Sequence, residues 1–306
     1  MLRRFLKWVS FRVFLLFDRL GLHVLPKHYY SPVPSYCWLE KNKEAWIGRA
    51  TLTGIKWDLD EQFEWLAKMC RPYYDEVAGL ALYNQVATSE VGLGFGPIES
   101  QVLHCFIRAN APPRIIEIGS GVSTSCMLHA ANLNHNRGKP QSRITCIDPY
   151  PRKAFSNVSN VHHLEQPCQT VAPAVFSELR AGDLLFVDSS HSVKVGSDVI
   201  RIYLEILPGL PSGVFVHIHD VFLPYIYPRT ALSELWGWQE TALLLALLMN
   251  NPHLAVLACL SALHYDRTEK LAGVLWDYRP QANFEGLCTA YPPRGDFPCS
   301  LWLRTC

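Results

Sequence analysis

Apolar residues recur along this chain with two different periods, and the alternation between them predicts an architecture. Short runs apolar on both faces stand at 114–118, 143–147, 161–164, 183–187 and 213–218. Between them come stretches with helical spacing, from Ser123, over 171–180 and over 196–206. Strands buried on both faces need helices above and below, so the pattern predicts a doubly wound α/β sheet. Upstream, Asp60 to Gln85 carries helical spacing with Phe63, Leu66, Ala67 and Cys70 on one face, interrupted at Pro72. Val91 to Pro97 (VGLGFGP) is a glycine-rich, flexible lead-in, and Pro97 suits the first turn of a helix reaching Ala109. Downstream, Thr230 to Asn250 reads as one long helix, and His253–Leu257 and Ser300–Leu303 as two last strands. Residues 266–298 hold several Pro and Gly and read as a long surface excursion. Pro26 to Pro34 (PKHYYSPVP) is a turn-rich linker. We therefore expect residues 1–90 to form an N-terminal helical extension with its linker, and 91–306 to form the main domain.

Composition changes this picture little. The 306 residues are 49% hydrophobic and 12% aromatic, enough for a sizeable core. A net charge of +1 gives no broad basic field for nucleic acid. The 10 cysteines form no C-x-x-C pair, and Cys105, Cys126, Cys146 and Cys259 sit in apolar runs. Reduced, buried thiols point to a cytoplasmic setting. The segment Met1–Leu22 is basic at its start and then aromatic and aliphatic. Arg12, Asp18 and Arg19 interrupt any membrane span, and no small-residue cleavage site follows. Two readings stay open. The helix docks on its own domain or a partner subunit, or it lies on the inner membrane face with Arg3, Arg4, Lys7 and Arg12 toward anionic lipid.

In open α/β sheets, ligands bind beyond the carboxyl ends of the strands, where the winding direction reverses. The 114–118 strand delivers Glu117, Gly119, Ser120 and Gly121 there. Glycine lets backbone approach a ligand closely. The next strand delivers Asp148, ahead of Pro149, and a carboxylate in that place can accept both hydroxyls of a ribose. The fourth ends in Asp188-Ser189-Ser190-His191 and the fifth in His219-Asp220. Two chemistries suit this set. Asp188, His219 and Asp220 can hold a divalent cation against a substrate hydroxyl. Alternatively, His191 can take a hydroxyl proton as general base, held by Asp188 or Asp220. His217 shares a sheet face with His219 and is expected to make an interior hydrogen bond. Phe222, Tyr225, Tyr227 and Trp236 follow the fifth strand and either wall an acceptor pocket or pack the next helix. A dinucleotide turn would place a third glycine at position 124, where this chain has threonine.

These residues resemble a known family. Glu117-Ile118-Gly119-Ser120-Gly121 with Ser123-Thr124 resembles the S-adenosylmethionine (SAM) loop of class I methyltransferases. Asp148-Pro149-Tyr150-Pro151, Phe186 through His191, Lys194, Gly196 through Val199, and Val216 through Pro224 resemble a bacterial branch of the methyltransferase 24 superfamily. The likeness runs from Tyr30-Ser31-Pro32 to Ser300-Leu301-Trp302-Leu303. It implies a Rossmann-like class I sheet and SAM as cofactor. Glu117, Gly119, Ser120 and Gly121 would hold the methionine part and Asp148 the ribose, with His191, Asp188 and Asp220 facing the acceptor. Related sugar and antibiotic O-methyltransferases bind magnesium with an acid after the fourth strand and an acid pair after the fifth. Asp188 and Asp220 match those roles, while His219 departs from them and favours manganese over magnesium. The expected activity is O-methylation of a sugar or small polyhydroxylated metabolite, by a monomer or homo-oligomer. Two alternatives remain: a nicotinamide-dependent oxidoreductase, and a degenerate scaffold at a membrane surface or in a complex.

Overall fold

A computed structural model of the chain describes residues 2–155, 158, 160–233, 237–283, 286–289 and 297–306. The chain divides into two compact units. The smaller comprises Met1–Trp46 with Ala231–Gly237, the larger Ile47–Thr230 with Trp238–Cys306. In the smaller unit lie helices α1 (Leu2–Asp18) and α2 (Tyr36–Lys41). In the larger lie α3 (Leu59–Cys70), α4 (Ala81–Ala87), α5 (Pro97–Asn110), α6 (Val122–Asn136), α7 (Pro173–Phe176), α8 (Asp198–Arg201), α9 (Glu240–Leu248), α10 (Leu260–Asp266) and α11 (Thr268–Ala272). Its strands are β1 (Arg114–Ile118), β2 (Arg143–Ile147), β3 (Val161–Leu164), β4 (Leu184–Val187), β5 (Phe215–Ile218), β6 (Leu254–Cys259), β7 (Pro280–Asn283), β8 (Gly286–Thr289) and β9 (Leu301–Thr305).

Seven strands make one sheet in the order β3-β2-β1-β4-β5-β9-β6, and β7 and β8 form a separate hairpin. The pairs among β3, β2, β1, β4 and β5 are parallel, and β9 runs antiparallel between β5 and β6. Winding reverses between β1 and β4, so a crevice opens beyond their carboxyl ends. Alternate side chains divide the core into two layers. Ile115, Leu184, Phe186 and Trp302 pack with Phe106 of α5, Met127 of α6 and Leu66 of α3. Ile116, Ile118, Leu185, Val187, Val216 and Leu301 pack on the opposite face with Ile202 and Leu244. The predicted doubly wound sheet is therefore present, with helices on both faces.

Several predicted elements differ. The helix expected over Thr230–Asn250 is instead a 3-10 turn at Arg229–Leu232 and the separate α9. Gly237 falls between them, and backbone N–H groups of Gln239 and Glu240 bond the carbonyl of His191, which turns the chain before α9 begins. The 196–206 helix is a short α8 running into a π-helical turn at Ile202–Ile206, and 171–180 contributes only α7. Residues 266–298 are no simple surface excursion. Leu271, Val274, Leu275 and Tyr278 are buried, and β7–β8 follow. α3 packs within the larger unit and its Gln62 Oε1 accepts from Cys259 N of β6, although its place before residue 90 had grouped it with the extension.

Trp302 sits fully buried at the centre of β9, 4.3 Å from the Phe106 ring and 4.5 Å from that of His217, centroid to centroid. Trp302→Ala should cost on the order of 3–5 kcal/mol in urea unfolding, because the sheet cannot collapse into so large a void. A loss below about 1 kcal/mol would mean that the layer repacks.

Candidate active site

The glycine turn after β1 is fixed from beneath. Glu117 is fully buried and stands opposite Cys146 on β2 and Phe186 on β4. Its carboxyl group accepts from the hydroxyl of Ser123, from Thr124 Oγ1 at 2.7 Å and from Cys146 Sγ at 3.2 Å. Thr124 Oγ1 in turn accepts from Gly121 N at 2.9 Å. Glu117 thus ties the first turn of α6 to the sheet and holds the 119–121 backbone in place. Burial pushes its carboxyl group up to about 7, against the hydrogen bonds from Ser123, Thr124 and Cys146 that pull it down. Gly119 holds φ +110, and a Cβ there would meet the Asp188 carbonyl oxygen at 3.0 Å. The turn after β1 and the end of β4 approach so closely that only hydrogen fits. Thr124 also explains the missing third glycine, since its hydroxyl is needed for this network.

Asp148 follows β2, half-buried, on the other side of the turn. Its Oδ2 accepts from Ser120 Oγ at 2.5 Å and its Oδ1 from Tyr150 N at 2.8 Å. Each oxygen retains a second lone pair for a ligand hydroxyl. The exposed Arg152 runs alongside, its Nε 4.0 Å from where a Gly121 side chain would begin and its guanidinium 3.5 Å from the same point at Gly92.

At the ends of β4 and β5 the structure gathers Asp188, His191, His219 and Asp220, with one ligating atom of each within 4.8 Å of all the others. His191 Nε2 lies 3.4 Å from Asp188 Oδ1 and 3.3 Å from Asp220 Oδ2. His219 Nδ1 lies 3.5 Å and 3.4 Å from the same two oxygens. Each imidazole has a second carboxyl group behind it. His191 Nδ1 is 2.7 Å from Glu240 Oε2, and His219 Nε2 is 3.4 Å from Glu99 Oε2. Both backing side chains are 1% exposed, so their dipoles act in a nearly water-free setting. Ser189 Oγ donates to Glu240 and accepts from His191 N, and Cys299 N and Sγ donate to Glu99 and Asp220. His191 and Asp220 both hold positive φ, a region that non-glycine residues rarely occupy.

The charges follow from this packing. Burial pulls the His191 imidazole down, but the hydrogen bonds to Asp188 and Glu240 and the charge of Asp220 outweigh it and raise it to about 10. His219 rises well above its ordinary value, burial being outweighed by Asp220, Glu99 and Asp188. Burial would raise Asp188, yet His219 and His191 hold it well below the usual carboxylate range. Asp220 is lowered in the same way. His217 goes the other way. Burial and then the His219 charge push it well down. It stacks flat on Phe186 at 4.3 Å, and its Nδ1 makes no hydrogen bond, contrary to the interior bond expected.

The sequence-derived residues Asp188, His191, His219 and Asp220 therefore converge, and Glu117, Gly119, Ser120, Gly121 and Asp148 line the adjoining turns. Two partners, Glu240 and Cys299, escaped sequence reasoning, while Glu99 stands in the sequence as an acid able to partner this end of the sheet without an assigned contact. Glu240 heads an otherwise apolar helix (ETALLLALL), an acid with no reason to be in a core, and that was its available signal. Cys299 gave none. Glu99 follows the glycine loop, which is less of a flexible lead-in than expected, since Val91 and Phe95 are buried and Phe95 lies 4.9 Å from the His219 ring. Phe222 is buried against the Trp238 ring, itself 4.8 Å from His191, whereas Tyr225 packs on Tyr265 and Trp236 lies outside the described residues.

Residues 116–221, from β1 to just past β5, match the family described as "Methyltransferase domain". Over those residues the chain is similar to that family, and the sheet order and the glycine turn agree with the class I methyltransferase expectation. An uncharacterised protein of Archaeoglobus fulgidus is 28% identical over 170 residues, which cover 50% of this chain and 72% of that protein. Among solved structures, the methyltransferase PaMTH1 of Podospora anserina, bound to S-adenosylhomocysteine, is 18% identical with a TM-score of 0.41 and covers 93% of this chain and 99% of its own. MycE of the mycinamycin biosynthetic pathway, with Mg, S-adenosylhomocysteine and mycinamycin VI, is 13% identical with a TM-score of 0.36 and covers 72% and 53%.

Two predictions concern the turn. Gly119→Ala should destabilise the domain by about 1–3 kcal/mol, because both the backbone region and the Asp188 carbonyl oppose a side chain; an unchanged melting temperature would contradict the close approach. Glu117 is raised from 4.5 unfolded to about 7 folded. Its protonated form is the one suited to burial, so its contribution is fully present below pH 4.5 and is lost as pH rises through about 7. The full effect is up to about 3 kcal/mol. Glu117→Gln should accordingly gain stability relative to the parent as pH is raised from acid to neutral, and parallel pH profiles of the two proteins would refute this.

Proposed function

We propose that this protein transfers the methyl group of SAM to a hydroxyl oxygen of a sugar or another small polyhydroxylated metabolite, with help from a divalent cation. The observation that carries the reading is the four-residue cluster of Asp188, His191, His219 and Asp220, set directly against the glycine turn at Gly119. SAM would supply an electrophilic methyl carbon on a sulfonium whose sulfur leaves as a neutral thioether when the C–S bond breaks. In this reading Asp148 and Ser120 receive the ribose hydroxyls, and the close backbone at Gly119–Gly121 seats the methionine part. With Glu117 engaged beneath the turn, Arg152 is the side chain beside it suited to the methionine carboxylate. Once a cation in the cluster displaces its proton, His191, held by Glu240 at Nδ1, would present Nε2 to take the acceptor hydroxyl's proton as the oxygen attacks.

The residues fit a cation. His219 is buried, and its ring nitrogens stand 3.4–3.5 Å from the carboxyl groups of Glu99, Asp188 and Asp220, loose ion pairs with no well-formed hydrogen bond that a bound ion would tighten. Asp188, His219 and Asp220 would hold the ion, and its chemistry would be to orient the acceptor and lower its hydroxyl pKa. The two imidazoles reach their raised values by borrowing protons against the surrounding carboxylates. A divalent ion supplies the same two charges in their place. Imidazole favours manganese, iron or zinc over magnesium.

Asp148→Ala should weaken SAM and S-adenosylhomocysteine binding in calorimetry by on the order of 1–3 kcal/mol. A parent protein with affinity for neither compound would end the methyltransferase reading. Mn(II), followed by electron paramagnetic resonance, should bind more tightly than Mg(II) and more tightly at pH 8 than at pH 6, by up to about tenfold per pH unit for each proton displaced. Asp188→Asn should abolish both Mn(II) binding and turnover while SAM still binds. Full turnover in Asp188→Asn, or pH-independent Mn(II) binding, would remove the cation from the mechanism.

A further inference from the structure

α1 carries a surface that the chemistry does not use. At 100° per residue, Phe5, Leu6, Val9, Val13, Leu16 and Phe17 fall on one arc free of charge. Burial against protein would cover this arc, yet Phe5, Leu6, Val13 and Leu16 are 58%, 54%, 40% and 60% exposed. Arg12 borders the arc, and its guanidinium lies over the ring of Trp8, 55% exposed, at 5.3 Å, about 60° outside the arc. Arg4 and Lys7 lie on the opposite side, both exposed, with Phe11, 58% exposed, between them. The arrangement has an apolar stripe, a cation at its border stacked on an aromatic, and further cations on the far side. Such a helix lies in an interface plane, with its aromatic at headgroup level. Among the described residues no helix is long and apolar enough to cross a membrane.

We propose that α1 docks this protein on an anionic lipid surface. Charge selects lipid over a second copy of the chain. The first 30 residues hold six of the 28 basic side chains and one of the 27 acidic ones, although the whole chain carries only +1. Two such segments repel one another, while a leaflet of anionic headgroups attracts each. A contiguous exposed apolar surface of this kind marks an interaction site. The inference is independent of the methyl-transfer reading.

The test uses the full-length protein, sedimented with vesicles of phosphatidylcholine alone or of phosphatidylcholine with phosphatidylglycerol. Binding is expected to the second and not the first, and to fall in high salt. Arg4→Gln/Lys7→Gln should weaken binding by about fivefold per charge. Phe5→Ser/Leu16→Ser should abolish it while circular dichroism and SAM affinity stay those of the parent. Should that variant not fold, Leu16→Asp alone takes its place. No binding of folded parent protein to the anionic vesicles, equal binding by Phe5→Ser/Leu16→Ser, or a concentration-dependent dimer by light scattering that the same variant dissolves without any vesicle binding would overturn the proposal.

Discussion

Compensation between buried carboxyl groups and buried imidazoles is the interaction on which the active end of this sheet depends. Asp188, Asp220, Glu99 and Glu240 surround His191 and His219 in a space where water is scarce. An isolated charge there would cost several kcal/mol. Each group is tolerable because the others are present, and the histidines rise while the aspartates fall for one shared reason. The proposed cation would meet the same carboxylate charge that protons on the two imidazoles now meet.

Backbone geometry decides that this cluster faces the glycine turn. Parallel register puts Ile118, Ile147, Val187 and Ile218 at one level, so the residues after them emerge side by side. The Asp188 and His219 N–H groups extend the ladder one residue further, onto Ile118 and Val187 carbonyls. Gly119 then passes so close to Asp188 that a Cβ there would stand only 3.0 Å from the Asp188 carbonyl oxygen. In the proposed reaction a methyl donor at the turn and an acceptor at the cluster would meet across that seam. Glu117 also has a structural part. It braces the turn from inside the sheet, bonded to two hydroxyls and a thiol.

Much of the sheet was legible along the chain because strands buried on both faces leave an unbroken apolar run, and five of them came at the spacing of βαβ units. The strand-end residues were legible for the complementary reason. His and Asp that terminate an apolar run cannot serve the core, so Asp188, His191, His219 and Asp220 stood out. The helix over 230–250 was misjudged because its apolar spacing continues through Gly237, while the break comes from bonds to His191, 46 or more residues earlier. The 266–298 stretch was misjudged because turn-forming residues hide the buried Leu271, Leu275 and Tyr278.

Local order along the chain, then, was enough for the kind of sheet, the turn that follows β1 and the acids and imidazoles delivered beside it, since each of these rests on side-chain periodicity and on which residue ends a strand. Glu240, Glu99 and Cys299 joined the site only through folding. They come from α9, α5 and the approach to β9, and no spacing rule links positions so far apart. Their charges matter because packing excludes water around them, and the loss of solvent is a property of the assembled layers that no stretch of sequence carries alone.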